Sequence, residues 1–78
     1  MAFQIDLHGL NHKQALSKTE NYLLLNSVYK LIDVELVTGK SPELQEKIIE
    51  KILVPYKFDY YIPPHNPGIM YISDKDII

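Results

Sequence analysis

Two short segments of the chain carry residue types that suit phosphate chemistry: Asp6-Leu7-His8-Gly9 and Thr38-Gly39-Lys40-Ser41. A histidine beside a bound phosphate can act as a general acid or base near neutral pH. Glycines let the backbone approach a ligand closely, and a lysine at a helix start adds a positive charge. We therefore predict Asp6 and His8 as catalytic residues, and we predict phosphate binding at Gly9, Asn11, Thr38, Gly39, Lys40, Ser41 and His65.

Several of these residues also have a purely structural interpretation. Asp6 and His8 lie two residues apart in an alternating segment, so their side chains share a face of a strand. In the functional interpretation, Asp6 orients the imidazole or binds a divalent ion. In the structural interpretation, Asp6 accepts backbone N–H groups of the turn around Gly9, and His8 packs against the closing hairpin. His65 lies in a proline-rich turn, where it either supplies a second histidine or is simply solvated. Lys40 is a phosphate ligand or a surface lysine, and the glycines serve the ligand or only turn the chain.

The helices that must position these residues have clear start signals. Asn11, with Gln14 three positions later, forms a capping box, and we predict a helix from about His12 to Tyr29. Ser41-Pro42-Glu43 combines a cap, a proline at the first helical position and an acidic first turn, and Pro55 is predicted to stop this second helix. The free N–H groups and positive dipole ends at both helix starts favour anion binding.

Alternation of apolar and polar residues predicts four strands, Phe3 to Leu7, Leu31 to Val37, Phe58 to Ile62 and Ile69 to Ser73. Residues 1–78 then form a single α/β domain of element order βαβαββ, an α+β two-layer sandwich with a four-stranded mixed sheet and two helices on one face. Right-handed crossovers make the first three strands parallel. Their carboxyl ends, which carry His8, Thr38 and the turn from Pro63 to Gly68, therefore gather at one edge, where ligands of open α/β sheets bind.

At these residues the chain resembles the Smr (small MutS-related) domain family. The resemblance covers Asp6-Leu7-His8-Gly9 with Ala15 in the next helix, Thr38-Gly39 at the end of the second strand, and Asn66-Pro67-Gly68-Ile69-Met70-Tyr71-Ile72 at the closing hairpin. The chain departs from the family at Ser41, where a second glycine is usual, and it lacks the histidine-, serine- and glycine-bearing insertion that follows. The resemblance implies the fold of the C-terminal domain of translation initiation factor three, with strands ordered first, second, fourth, third. It also implies DNA or RNA binding and, in several branches, nicking or cleavage of the phosphodiester backbone.

Composition limits how strongly the chain can hold nucleic acid. Its 10 acidic residues exceed 8 lysines, and arginine, whose bidentate fork grips phosphate or guanine, is absent. Lys13, Lys30, Lys40 and Lys57 are candidates for a local basic patch, so we expect weak binding.

The absence of cysteine rules out disulfides and thiolate metal sites and favours a reducing compartment. With no signal-peptide pattern at Met1 and no apolar run long enough for a bilayer, we expect a cytoplasmic protein without membrane contact.

Two functional hypotheses follow from these features. The leading one is a nucleic-acid-binding domain for RNA or DNA, including structured or branched forms; whether it also nicks the backbone as an endonuclease, and whether a divalent metal ion takes part, is open. The alternative is a protein–protein interaction module on an Smr fold that has lost its ligand.

The sheet face away from the helices should show Tyr61, Val37, and either Ile69 with Tyr71 or Met70 with Ile72. That face is a platform for base stacking, a homodimer contact, a surface for a larger protein partner, or tolerated apolar exposure.

Overall fold

The sheet brings the predicted strand ends together at one edge. A computed structural model describes residues 3–27 and 32–74, with the strands β1 (Phe3–Asp6), β2 (Asp33–Val37), β3 (Phe58–Tyr61) and β4 (Ile69–Asp74). Their order across the sheet is β1-β2-β4-β3, with β1 parallel to β2 and β4 antiparallel to both of its neighbours. The first three strands therefore run in the same direction, which confirms the predicted mixed sheet. Leu31, the predicted start of the second strand, lies outside the described residues.

The first helix, α1 (His12–Asn26), begins where the sequence predicts. Asn11 Oδ1 accepts the N–H of Gln14 at 2.7 Å, and Gln14 Oε1 accepts the N–H of Asn11 at 3.2 Å, so the capping box is confirmed. Ser27 is the C-cap of the helix, and the predicted continuation to Tyr29 falls outside the described residues. Within residues 3–27 and 32–74, no helix has both the length and the apolar character needed to cross a membrane.

The second helical segment runs through Pro55, so the prediction that this proline stops it is wrong. The segment consists of α2, a π-helical turn and α3, which span Pro42–Ile48, Ile49–Leu53 and Val54–Tyr56. A proline inside a regular α-helix lacks a donor N–H and crowds the carbonyl group four residues earlier. Here a wider π-helical turn precedes Pro55, and the N–H of Val54 donates to the carbonyl of Ile49, five residues back. The segment ends at Lys57, whose φ of 64° is left-handed.

Both helical segments cover the same face of the sheet. The core unites alternate strand residues with one stripe of each segment, and it includes Ile5, Val34, Leu36, Met70, Ile72, Ala15, Leu23, Leu44, Ile48 and Ile52. This arrangement confirms the predicted two-layer fold with its helices on one side. One polar side chain is enclosed without a partner, because Thr19 is fully buried and its Oγ1 makes no hydrogen bond among the described residues.

No helix among the described residues covers the opposite face of the sheet, which we call the open face. Met70 and Ile72 lie in the core, so Ile69 and Tyr71 are the β4 residues that face away from the helices, and this settles the choice that the sequence left open. Tyr71 is 38% exposed, and its neighbour on β3, Tyr61, is 58% exposed. The open face therefore presents two tyrosine side chains next to each other.

Candidate functional site

The turns that follow β1 and β2 meet at the carboxyl ends of these strands, which we call the strand-end edge. Gly9 and Gly39 have φ angles of 90° and 72°, values that a side chain disfavours. A Cβ atom placed on Gly39 would lie 3.5 Å from Cδ2 of His8, so the imidazole ring packs against this glycine. The structure thus brings Asp6-Leu7-His8-Gly9 and Thr38-Gly39-Lys40-Ser41 together, as the sequence predicts.

The closing hairpin joins the same edge through the carbonyl group of Gly68. This oxygen accepts the N–H groups of Thr38 and Gly39 at 2.9 and 3.0 Å. A Cβ atom on Gly68 would lie 3.5 Å from the carbonyl carbon of Gly39, so the two backbones are in direct contact. The N–H of Gly39 is consequently used inside the fold and is not free for a phosphate.

A buried glutamine, which the sequence did not single out, fastens the second helical segment to this edge. Gln45 is only 8% exposed, and its Nε2 donates to Thr38 Oγ1 at 2.9 Å and to the carbonyl of Pro67 at 2.8 Å. The Thr38 hydroxyl lies 2.8 Å from the carbonyl of Gly39, to which it donates. The hydrogen and an oxygen lone pair of the Thr38 hydroxyl are therefore both engaged within the fold.

Asp6 shapes the turn that carries His8. Its Oδ1 accepts the backbone N–H of His8 at 2.9 Å. In the described part of the chain, no hydrogen bond joins the carboxylate to the imidazole, so the structure shows the backbone role of Asp6. His8 is exposed, and its side chain makes no hydrogen bond to a described residue.

The two helix starts differ in the number of backbone donors they leave free. The side chains of Asn11 and Ser41 are used as caps, on the N–H groups of Gln14 and Leu44. In the second segment Pro42 has no N–H at all, and Glu43 places a negative charge in the first turn. The anion-binding capacity predicted for this start is therefore smaller than the position alone implies.

Other donors remain on the turns themselves. The N–H groups of Gly9 and Lys40 donate to no described residue, and the Lys40 side chain is exposed. The one ion pair found among residues 3–27 and 32–74 joins Lys47 to Glu43 at 3.9 Å, so Lys40 has no described carboxylate as its partner. Its ammonium group and the His8 ring are exposed polar groups of the strand-end edge, together with the Asp6 carboxylate.

A second histidine contact at the helix starts was not predicted. Lys47 Nζ lies 3.1 Å from Nδ1 of His12, the first residue of α1, and this contact links the two helical segments. The signal in the sequence is weak, since it consists of a histidine at a helix start and a lysine 35 positions later. Lys47 is also the partner of Glu43 in the ion pair described above.

Of the other predicted basic and histidine residues, Lys57 does not join the cluster. Lys57 directly precedes β3, so it lies at the amino end of that strand, opposite the edge that holds Lys40. Lys30 falls outside the described residues, and the predicted four-lysine patch is thus not formed by the residues that can be placed. His65 is exposed in the Pro63–Gly68 turn and makes no hydrogen bond to a described residue.

Neither a metal centre nor a known relative identifies the site. Within the parts of the chain described, no group of three or more histidine, aspartate or glutamate side chains is arranged to hold a metal ion. Comparison of the chain with protein-family models, with curated proteins and with solved structures found no match. The chemistry of the strand-end edge is therefore the available guide to function.

Proposed function

We propose that the chain is an Smr-like nucleic-acid-binding domain that holds backbone phosphates weakly at the strand-end edge. The observation that carries this proposal is the packing of the exposed His8 ring against Gly39, directly beside Lys40. The N–H groups of Gly9 and Lys40, which donate to no described residue, lie on the same two turns. Backbone amides and an ammonium group are donors that proteins use to bind phosphate oxygens, and the imidazole lies where it can transfer a proton.

The proposed binding is weak and insensitive to base sequence. The chain has a formal net charge of -2 and no arginine, so few phosphate contacts are available and none has a bidentate fork. Both RNA and DNA, structured or branched, are included, and the proposed location is the cytoplasm.

The proposal includes slow nicking of the phosphodiester backbone. Water attacks phosphorus, the bond to the leaving oxygen breaks, and His8 transfers a proton to or from the reacting oxygens. Asp6 contributes by fixing the backbone of the turn through its hydrogen bond to the His8 N–H. Comparison of nicking in magnesium, in manganese and in chelator tests whether a divalent metal ion takes part.

Binding is tested by fluorescence anisotropy with labelled single-stranded, duplex and branched oligonucleotides at several salt concentrations. The logarithmic salt slope on duplex DNA should be shallower than roughly −5, because about −0.9 is expected for each phosphate contact. Lys40→Ala should weaken binding to all sequences alike and reduce the slope by about 1. Lys51→Ala is the matched control, since Lys51 is also exposed but lies in the π-helical turn, on the order of 15 Å farther along the segment.

Cleavage is tested with the same substrates in magnesium or manganese and in chelator. His8→Ala should abolish nicking and leave affinity nearly unchanged, because the Lys40 ammonium group and the backbone N–H groups proposed to hold the phosphate remain. Absence of nicking by the wild-type chain under all conditions contradicts the endonuclease part alone. Absence of binding at low salt, where electrostatic attraction is strongest, contradicts the nucleic-acid proposal as a whole.

A further inference from the structure

The open face of the sheet combines exposed aromatic side chains with unbalanced negative charge. Strand register places two rows of residues side by side on it: Gln4, Glu35, Tyr71 and Tyr61 in one row, and Asp33, Ser73 and Asp59 in the next. A third row holds Asp6, Val37 and Ile69. None of the described strand residues is a lysine, and no ion pair within residues 3–27 and 32–74 involves the four carboxylates of this face.

The geometry of the rows defines where a ligand cation can sit. Asp33 and Asp59 flank Ser73 from the strands on either side, so their carboxylates are separated by about two strand spacings, roughly 10 Å. Along β2, Asp33 and Glu35 project on the same face about 7 Å apart. A positive side chain above Ser73 can therefore approach two carboxylates at once.

The tyrosine pair supplies the apolar part of the surface. Tyr61 and Tyr71 are directly opposite each other on β3 and β4, with Cβ atoms about 5 Å apart as in any antiparallel pair. Both rings are exposed to solvent. Glu35 lies on the other side of Tyr71, so a ring face and a carboxylate are adjacent. Arginine is the side chain that stacks on aromatic rings and pairs with carboxylates through the same planar group.

We propose that the open sheet face is a docking surface for a protein partner that presents an arginine-rich extended segment. In an extended chain, alternate side chains point to one side about 7 Å apart, which equals the spacing of Asp33 and Glu35 along β2. One guanidinium lies over Ser73 between the carboxylates of Asp33 and Asp59, and the next stacks on Tyr71. The face shares Asp6 with the strand-end edge, but the positions above Ser73 and Tyr71 lie toward the other end of β2, so the inference does not depend on nucleic-acid binding.

Charge complementarity selects this occupant over two others. A second copy that apposed the same face would bring four carboxylates against four more, and like charges across an interface are costly. A nucleic acid stacked on the tyrosines would place its phosphates beside the same carboxylates. A cationic segment neutralises the face, and the chain itself has no arginine to supply one.

The test uses the full chain and a synthetic peptide in which arginine alternates with serine. Binding is measured by calorimetry at low salt, and the contact surface is located from amide shifts in ¹H–¹⁵N spectra. Asp33→Asn combined with Asp59→Asn should weaken binding by roughly three- to thirtyfold, the range that two exposed ion pairs supply. Glu46→Gln combined with Glu50→Gln removes the same charge from exposed positions on the helical side and should change the affinity less than about twofold.

The aromatic contribution is tested separately. Tyr71→Leu leaves the charge of the face unchanged and keeps an apolar side chain at this position. It should therefore weaken binding of the arginine peptide and leave binding of a peptide with lysine at the same positions nearly unaffected. The amides of Tyr71 and Ser73 should shift, while those of Gly9 and Gly39 should not.

Four results would overturn the proposal: no binding of the arginine peptide at low salt, equal loss in both charge variants, shifts confined to the helical side, or oligonucleotide-induced shifts at Tyr71. Sedimentation of the free chain adds a fifth. A dimer that Tyr71→Leu dissociates would assign the face to a second copy. Since oligonucleotide binding by the Asp33→Asn, Asp59→Asn variant should be unchanged, failure of the docking proposal is distinguishable from failure of the nucleic-acid proposal.

Discussion

Replacement of Gln45 by methionine should destabilise the chain markedly, although the two side chains are similar in volume and in helix propensity. The side chain is 8% exposed, and its amide donates to Thr38 Oγ1 and to the Pro67 carbonyl. Gln45→Met removes both hydrogen bonds without opening a large cavity. The hydrogen bonds are worth about 1 kcal/mol each, and the two acceptors lose their donors, so we expect a loss of about 2 kcal/mol.

Urea denaturation followed by circular dichroism measures this loss. In a domain of this size, about 2 kcal/mol corresponds to a fall of roughly 8–16 °C in Tm. Gln4→Met is the matched control, because Gln4 is exposed and its hydrogen bond to Glu35, at 3.3 Å, is also exposed. The control should change stability by less than about 0.5 kcal/mol.

A local measurement separates the proposed contact from a general effect of the substitution. The N–H of Gly39 donates to the carbonyl of Gly68, next to the Pro67 carbonyl that Gln45 holds. In Gln45→Met this N–H should exchange with solvent faster relative to the amides of β2. If the variant loses no more stability than Gln4→Met, the reasoning that Gln45 fastens the hairpin to the strand-end edge is refuted.

Three further outcomes are expected. Thr19→Val should raise the free energy of unfolding by about 1 kcal/mol in urea denaturation, because the buried Thr19 Oγ1 has no partner among the described residues; a destabilised variant would contradict this. Gly39→Ala should lower the free energy of unfolding by about 1–2 kcal/mol because of the φ of 72° alone, since the added Cβ would make only an ordinary 3.5 Å contact with His8. An unchanged free energy of unfolding in the same assay would refute that strain. The Tyr56 hydroxyl donates a hydrogen bond to the Glu20 carboxylate, and this bond, together with the negative charge of Glu20, raises the pKa of Tyr56 above 10.0. The stabilisation it provides is therefore present below pH 10.0 and is lost as the pH rises through the raised pKa. Glu20→Gln should shift one tyrosine to a lower pKa in an absorbance titration, and an unchanged titration would contradict the contact.

Local signals in the sequence were sufficient for the elements that carry the candidate site. The capping box of Asn11 and Gln14 and the proline after Ser41 depend on neighbouring residues only, and both helix starts were predicted correctly. Period-two alternation likewise located all four strands to within about a residue at the described ends. The handedness of crossovers then placed the ends of β1 and β2 at the same edge.

Contacts between distant segments were not predictable in this way. The position of Gln45 in a helical stripe with Ile48 and Ile52 marks it as inward-facing, but its acceptors belong to another strand and to the hairpin. The passage of the helix through Pro55 likewise depends on a π-helical turn, which no residue type signals by itself. Both features require the backbone of one segment to be placed relative to another.

The sequence by itself determined the type of each element, the starts of both helices and the gathering of the glycine turns at one edge, because these follow from capping, periodicity and chain handedness. Only the tertiary structure decided which groups at that edge remain available. It engages Thr38 and the Gly39 N–H within the fold and leaves His8 and Lys40 exposed. It also decided that Tyr71 joins the carboxylates of the open face, since strand register, and not composition, sets which residues are neighbours across a sheet.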